Sequence, residues 1–115
     1  MVYRKDSYPV KINEQMRGGD GTVKIESLLT KEELYEKGRL FAKITIGPGC
    51  SIGQHVHEGE MEAFYIAQGK ALFDDNGTQI EAAAGDTTYT PSGAGHSIRN
   101  IGEEDLVLIA LILFR

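Results

Sequence analysis

Hydrophobic residues occur along this chain in short runs in which apolar and polar positions alternate, and many of the 14 glycines lie between the runs. Alternation with a period of two is typical of β-strands with one buried face. Many short strands separated by turn residues are typical of a sandwich or a barrel. The pattern therefore predicts an all-β fold with nine strands: Val23–Ser27, Leu40–Ile46, Ser51–His57, Met61–Gln68, Lys70–Asp74, Thr78–Ala82, Asp86–Thr90, His96–Asn100 and Leu106–Phe114.

Local motifs predict how some of these strands are connected. Asp75–Gly77 contains an Asn-Gly pair, which readily supplies the two positive φ angles of a type I′ hairpin turn. Thr30 and Glu33 are spaced as a capping box, and Gly38 is a stop signal, so we expect one short helix of about two turns ahead of the barrel. The glycine-rich segment Met16–Gly21 is predicted to be a flexible loop.

The last predicted strand, Leu106–Phe114, is apolar at both alternating sets of positions. A strand with one solvated face should alternate apolar with polar residues, so something is expected to cover the outer face. The cover is the N-terminal arm, Tyr3–Val10, a packed helix, or the same surface of a second subunit. We favour a homodimer, because two-fold homodimers are the most common soluble oligomers.

Length and composition place the chain among compact globular proteins. Its 115 residues, 41% hydrophobic and 25% charged, predict one domain over 1–115, with an arm and short helix in 1–39 and a barrel in 40–115. The net charge of -5 argues against a nucleic-acid partner and against an anionic membrane surface. The apolar run 106–114 is too short to cross a bilayer as a helix.

Location is predicted from the cysteine content and the N-terminus. The single cysteine, Cys50, excludes an intrachain disulfide and fits a reducing compartment. The polar segment Met1–Asp6 lacks the apolar run of a secretory signal peptide. We therefore expect a cytoplasmic protein.

All three histidines lie in two short segments that predict a metal site. His55 and His57 are two residues apart, so both rings project from the same face of a strand. Glu62 follows a turn-forming segment and is expected on the next strand at a similar depth, and His96 begins a later strand. Three imidazoles and one carboxylate suit one divalent transition metal ion, namely Mn, Fe, Co, Ni, Cu or Zn, better than Ca or Mg.

The two segments resemble both signature motifs of the cupin superfamily. Glycines, a proline and an asparagine accompany the four predicted ligands at the expected spacing. The matching positions are Gly49, His55, His57, Glu62 and Gly69 in the first motif, and Gly85, Pro91, Gly93, His96 and Asn100 in the second. The resemblance implies a double-stranded β-helix, the cupin jelly-roll barrel, often dimeric, with the metal deep in an open mouth.

Other residues near the motifs are weaker candidates for a role in the site. Glu60 competes with Glu62 for the carboxylate role, and it is a candidate base behind the ligands. Alternation places several side chains towards the barrel interior, where they would wall an apolar pocket above the metal or belong to the ordinary core. With the polar Tyr89 near the second motif, the pocket candidates are Phe64, Ile66, Phe73, Tyr89 and Ile98.

The resemblance leaves more than one function open, because cupins include dioxygenases, decarboxylases, sugar isomerases and epimerases, ligand sensors and storage proteins. The first hypothesis is a metal-dependent enzyme that acts on a small oxygen-rich metabolite, a carboxylate or a sugar. The alternative is a non-catalytic binding or sensing module that uses the same metal site. A third is a barrel that the metal only stabilises.

Overall fold

A computed structural model describes all residues, 1–115, as ten antiparallel strands in two sheets. The six-stranded sheet has the order β1-β2-β3-β10-β5-β8, and the four-stranded sheet has the order β4-β9-β6-β7. The predicted barrel therefore consists of two separate sheets. The strands are β1 Val10–Glu14, β2 Thr22–Leu29, β3 Gly38–Ile46, β4 Ser51–Val56, β5 Glu60–Gln68, β6 Lys70–Asp75, β7 Thr78–Ala83, β8 Thr87–Thr90, β9 Gly95–Asn100 and β10 Leu106–Phe114.

The core lies between the two sheets and follows the period-two pattern. Along β10, alternate residues from Leu106 to Ile112 are buried, and the residues between them are half-buried on the outer face. The core is a single cluster of 14 buried residues contributed by both sheets. Because the side-chain period of a strand is two, this burial also fixes which residues face the interior near the ends of β4, β5 and β9.

All nine predicted strands are present, with small differences at their ends, and the predicted hairpin joins β6 to β7. Asn76 and Gly77 both have positive φ, 49° and 102°. The Asp74 side chain also accepts a hydrogen bond of 2.8 Å from the Gly77 amide. No helix in the structure has both the length and the apolar character needed to span a bilayer.

The predicted helix after Thr30 is wrong. Both capping-box hydrogen bonds form: the Glu33 amide donates to Thr30 Oγ1 at 3.1 Å, and the Thr30 amide donates to Glu33 Oε1 at 3.0 Å. However, Tyr35 and Glu36 have positive φ, so the segment is a series of turns that ends where β3 begins. A capping box adds only local hydrogen bonds, and helices this short are marginal without tertiary packing.

The N-terminal region differs from the prediction in two places. Val10–Glu14 forms an additional edge strand, β1, paired with β2. The predicted flexible loop contains one short 3₁₀ turn, Met16–Gly18. The arm before β1 lies beside the end of β2 and the following turns, where Tyr3 donates to Glu33.

Candidate metal centre

Two sheets bring the four predicted ligands to one point. His55 lies on β4 and pairs with His96 on β9, which places these two rings side by side in the four-stranded sheet. Glu62 faces them from β5 of the other sheet. His57 lies one residue beyond the end of β4, but its backbone still bonds to the turn before β9, with Gly93 N donating to His57 O at 2.7 Å.

The donor atoms of these residues are in direct contact. His96 Nε2 lies 3.2 Å from His57 Nε2, 3.1 Å from His55 Nε2 and 3.0 Å from Glu62 Oε1. Glu62 Oε1 is also 2.9 Å from His57 Nε2. Four possible ligand atoms, one from each of the four residues, all lie within 4.8 Å of one another. The four residues therefore converge as a chelating group.

The far sides of the rings determine which nitrogen carries the proton. His55 Nδ1 is 2.8 Å from the Gly53 carbonyl, and His57 Nδ1 is 2.9 Å from a Glu60 carboxylate oxygen. Both partners only accept, so both Nδ1 atoms donate and the Nε2 lone pairs point to the centre. His96 Nδ1 contacts the Thr90 hydroxyl at 2.8 Å, and when Nδ1 donates to this hydroxyl the Nε2 lone pair of His96 also points to the centre.

A cation satisfies this arrangement better than a proton does. If His96 Nε2 carried a proton, it would donate to one of its three neighbours and leave the other lone pairs in contact. Donors bound about 2.1 Å from an ion lie about 3.0 Å apart at 90° and about 3.4 Å apart at the tetrahedral angle. The four contacts of 2.9 to 3.2 Å are close to the 90° spacing, so these residues would suit an ion that has positions for a further ligand.

Burial favours the neutral imidazole that a metal requires. The pKa of His55 is lowered below its ordinary value, first by burial and then by the neighbouring histidines and Arg17, although the hydrogen bond to Gly53 opposes this. His96 is buried between aromatic rings, stacked on Phe64 with a centroid distance of 5.3 Å. Its ring is therefore held in place by packing as well as by Thr90.

The sequence matches the family described as the Cupin domain over residues 42–112. That span exceeds half of the chain and contains all four converging residues. The chain belongs to the cupin family.

Individual relatives of this cupin indicate which members of the family it resembles. The chain is 44% identical over 113 residues to a Thermotoga maritima protein named oxalate-binding protein, covering 98% of this chain and 93% of the relative. It is 33% identical over 75 residues to an oxalate decarboxylase of Bacillus subtilis, covering 61% of this chain but only 20% of the relative. The crystal structure of a predicted oxalate decarboxylase from Thermotoga maritima has a TM-score of 0.96 and 43% identity, with full coverage of both chains.

A cavity of about 260 Å³ opens onto the ligands of this cupin. His55, His57 and Glu62 line it, whereas His96 lies beneath them. Most of its wall comes from the six-stranded sheet, with Ile52 from the facing sheet. The apolar wall is formed by Met16, Ile25, Leu40, Ile44, Ile52, Phe64 and Ile112.

The structure places the five pocket candidates differently from one another. Phe64 lines the cavity, whereas Ile66, Phe73 and Ile98 are buried in the core. Tyr89 lies on the outer face of β8, 58% exposed, so it points away from the ligands. The neighbouring Thr90 faces inward instead, and its hydroxyl contacts His96 Nδ1. Adjacent residues of a strand point to opposite faces, so alternation along β8 would have indicated this role for Thr90.

Glu60 is held behind the ligands. Arg39 donates to both of its carboxylate oxygens, at 2.7 and 2.8 Å, and His57 Nδ1 lies 2.9 Å away. Arg39 is the main reason that the pKa of Glu60 is lowered to about 2. A carboxylate with this pKa is a weak base near neutral pH, so the geometry favours a role in orienting His57 over the predicted role in proton transfer.

Proposed function

We propose that this cupin binds a small oxygen-rich carboxylate, with oxalate as the leading candidate, at a divalent transition metal ion held by His55, His57, Glu62 and His96. The observation that carries the proposal is the convergence of three Nε2 lone pairs and one carboxylate oxygen below an open cavity. The ion would supply Lewis acidity and coordination positions for oxygen donors.

The residues around the cavity determine how it excludes water and how the three histidine rings are oriented. Its apolar wall excludes water from one side of a bound small molecule, while the end of the cavity lined by His55, His57 and Glu62 is polar. Glu60 orients His57, Gly53 orients His55 and Thr90 orients His96, so each ring has a fixed direction. A carboxylate ligand is also supported by the Thermotoga maritima relative that is named for oxalate binding and aligns over nearly its whole length.

Decarboxylation of oxalate is the second candidate, favoured by the names of two relatives. The chain spans only about a quarter of the length of an Arthroderma benhamiae oxalate decarboxylase, 24%, and 20% of the Bacillus subtilis one. The only carboxylate lining the cavity is Glu62, which is one of the four ligand residues. No other acid is placed there to transfer a proton, so we propose binding as the function in preference to turnover.

The proposal predicts metal-dependent binding of oxalate. Protein loaded with Mn²⁺ is expected to bind oxalate in isothermal titration calorimetry, whereas protein stripped with a chelator is expected to bind it at least about 100-fold more weakly, because a ligand-bound ion is the largest local charge in such a site. Assays for formate and carbon dioxide in the same samples separate binding from decarboxylation. Equal affinity with and without metal would refute the proposal.

We further propose that the molecule is a homodimer formed through the outer face of the six-stranded sheet. This face carries the half-buried apolar residues of β10 with Phe41 from β3 and Ala63 from β5 beside them. Across the sheet from Ile109 lie Lys43 and the 49% exposed Tyr65. A second copy can cover this face by an isologous two-fold contact, in which the same patch meets itself.

A charge in the centre of this face is expected to separate the dimer. Ile109→Glu would place a carboxylate in the interface, which should weaken association at least about 100-fold, because a buried unpaired charge is costly. Light scattering after gel filtration should change from twice the 12.6 kDa chain mass to the single-chain mass. Ile80→Glu, at a 46% exposed isoleucine on the other sheet, is the matched control and should leave the mass unchanged. A wild-type monomer would overturn this proposal.

A further inference from the structure

The cavity above the ligands is cationic although the chain as a whole carries a net charge of -5. Lys11, Arg17 and Arg39 line it, together with one carboxylate, Glu62. Arg39 is paired with Glu60, whereas Lys11 and Arg17 form no ion pair within 4.0 Å. Two cations without a carboxylate partner therefore line a cavity that also opens onto the proposed metal site.

The two faces of β1 are the reverse of those expected if the hydrophobic residues of this strand pointed to the interior. On β1, Val10, Lys11 and Ile12 are all exposed, but only Lys11 lines the cavity, and it pairs with the buried Ile25 on β2. A shift of one residue in register would exchange the two faces of β1. A strand that exposes its aliphatic side chains and directs a lysine to the cavity breaks a local rule, which is expected where a site requires it.

Arg17 is held in an unfavourable backbone conformation at the same cavity. Its φ and ψ are 54° and 31°, in the left-handed region that costs a residue with a side chain about 1–2 kcal/mol. Such outliers persist where the surroundings fix them and are frequent at ligand-binding sites. Here the fixing contacts are backbone to backbone: a Cβ added at Gly53 would lie 2.2 Å from Arg17 O, and one added at Gly19 would lie 2.4 Å from Ser51 O.

These contacts connect the position of Arg17 to that of His55. Gly53, which packs against the loop carrying Arg17, is the residue whose carbonyl orients the His55 ring. Ser51 on the same strand bonds to the loop twice, with its amide donating to Asp20 O at 2.9 Å and its hydroxyl accepting from the Asp20 amide at 2.9 Å. The backbone that carries Arg17 and the strand that carries His55 are therefore held together by direct contacts.

We propose that Lys11 and Arg17 form an anion-binding wall that selects a dicarboxylate over a monocarboxylate. The inference rests on the proposed function, in which the metal holds part of the ligand. The wall binds the carboxylate oxygens that face away from the ion. A monocarboxylate offers no second charge to the wall, so the two cations discriminate between the ligand classes.

Calorimetry on Mn²⁺-loaded protein with oxalate and with acetate tests this inference. Arg17→Gln and Lys11→Gln should each lower the affinity for oxalate about tenfold, the effect of losing one hydrogen bond to a charged group. The affinity for acetate should change less than about threefold, since acetate lacks the second charged group. Glutamine keeps a Cβ at position 17, so the backbone strain is unchanged. Arg17→Lys should retain most of the selectivity, and Lys37→Gln, an exposed lysine outside the cavity, should have no effect.

Three outcomes overturn the inference in distinguishable ways. If the double variant keeps the wild-type ratio of oxalate to acetate affinity, the wall is wrong and metal-dependent binding stands. If oxalate and acetate lose affinity equally, the cations act only on the general potential of the cavity. If wild-type metal-loaded protein binds neither anion, the proposed function fails as well. Elemental analysis of each sample after titration checks that oxalate has not removed the metal.

Discussion

His57→Ala is expected to abolish metal retention. The substitution removes one of four donors, whose Nε2 contacts both His96 and Glu62, and it leaves the Glu60 carboxylate without its partner on the ring. Loss of a residue that only orients a ligand typically costs about 10 to 100-fold in metal affinity, so loss of the donor itself should cost more than about 100-fold. Elemental analysis of the purified protein after dialysis measures the occupancy.

Thermal unfolding gives a second readout of the same change. Metal at about 100 times its dissociation constant should stabilise the wild type by about 2.7 kcal/mol, a rise in Tm of roughly 10 °C for a chain of this size. The His57→Ala protein should show no rise. Glu58→Ala, at the exposed neighbouring residue, is the control and should respond like the wild type. Full metal occupancy in His57→Ala would show that these residues do not form the site.

The convergence of the four candidate ligand residues could be anticipated from the sequence because period and motif agree. The spacing of His55 and His57 puts both rings on one face of a strand whichever sheet the strand joins. The strand was predicted to include His57, but β4 ends at Val56. The difference is small, because the backbone of His57 continues to pair with the residues before β9. Glu62 was predicted from the turn-forming segment before it, but its position on the other sheet could not be predicted, since no local signal shows which sheets face each other.

The groups that orient the ligands could not be predicted in the same way. Arg39 and Glu60 lie 21 positions apart, and Thr90 and His96 meet across a turn, so their contacts depend on how the sheets pack. The helix after Thr30 failed for the opposite reason. Its local hydrogen bonds form as predicted, but the chain then turns into β3, where Gly38 packs directly against β10 with Ile112 O 2.3 Å from an added Cβ. Tertiary packing decides the conformation of so short a segment.

Strand β1 was missed because none of its residues is buried and its two aliphatic residues, Val10 and Ile12, are exposed. Lys11 faces the cavity while Ile12 is exposed, so the alternation gives no clue to a strand with a buried apolar face. The segment therefore resembled an arm. The same facing of Lys11 supports the proposed anion-binding wall, and it became visible only with the pairing of β1 with β2.

Gly53→Ala is expected to destabilise the fold by about 3 kcal/mol or more, at the upper end of the cost of overpacking. The added methyl group would lie 2.2 Å from Arg17 O and 2.8 Å from Gly19 N, and both are backbone atoms that cannot rotate away. The loop must therefore separate from β4. Because the Gly53 carbonyl orients His55, metal affinity should also fall, by about 10 to 100-fold.

Gly47→Ala separates this steric effect from the general consequences of replacing glycine. A Cβ at Gly47 meets nothing closer than Cys50 Sγ at 3.8 Å, and neither glycine has a positive φ. That change should be neutral or stabilise by up to about 1 kcal/mol, because alanine restricts the unfolded chain. Chemical denaturation of both variants in the metal-free form measures the difference, and metal titration measures the second effect. If Gly53→Ala is as stable as Gly47→Ala, the loop is not clamped to β4.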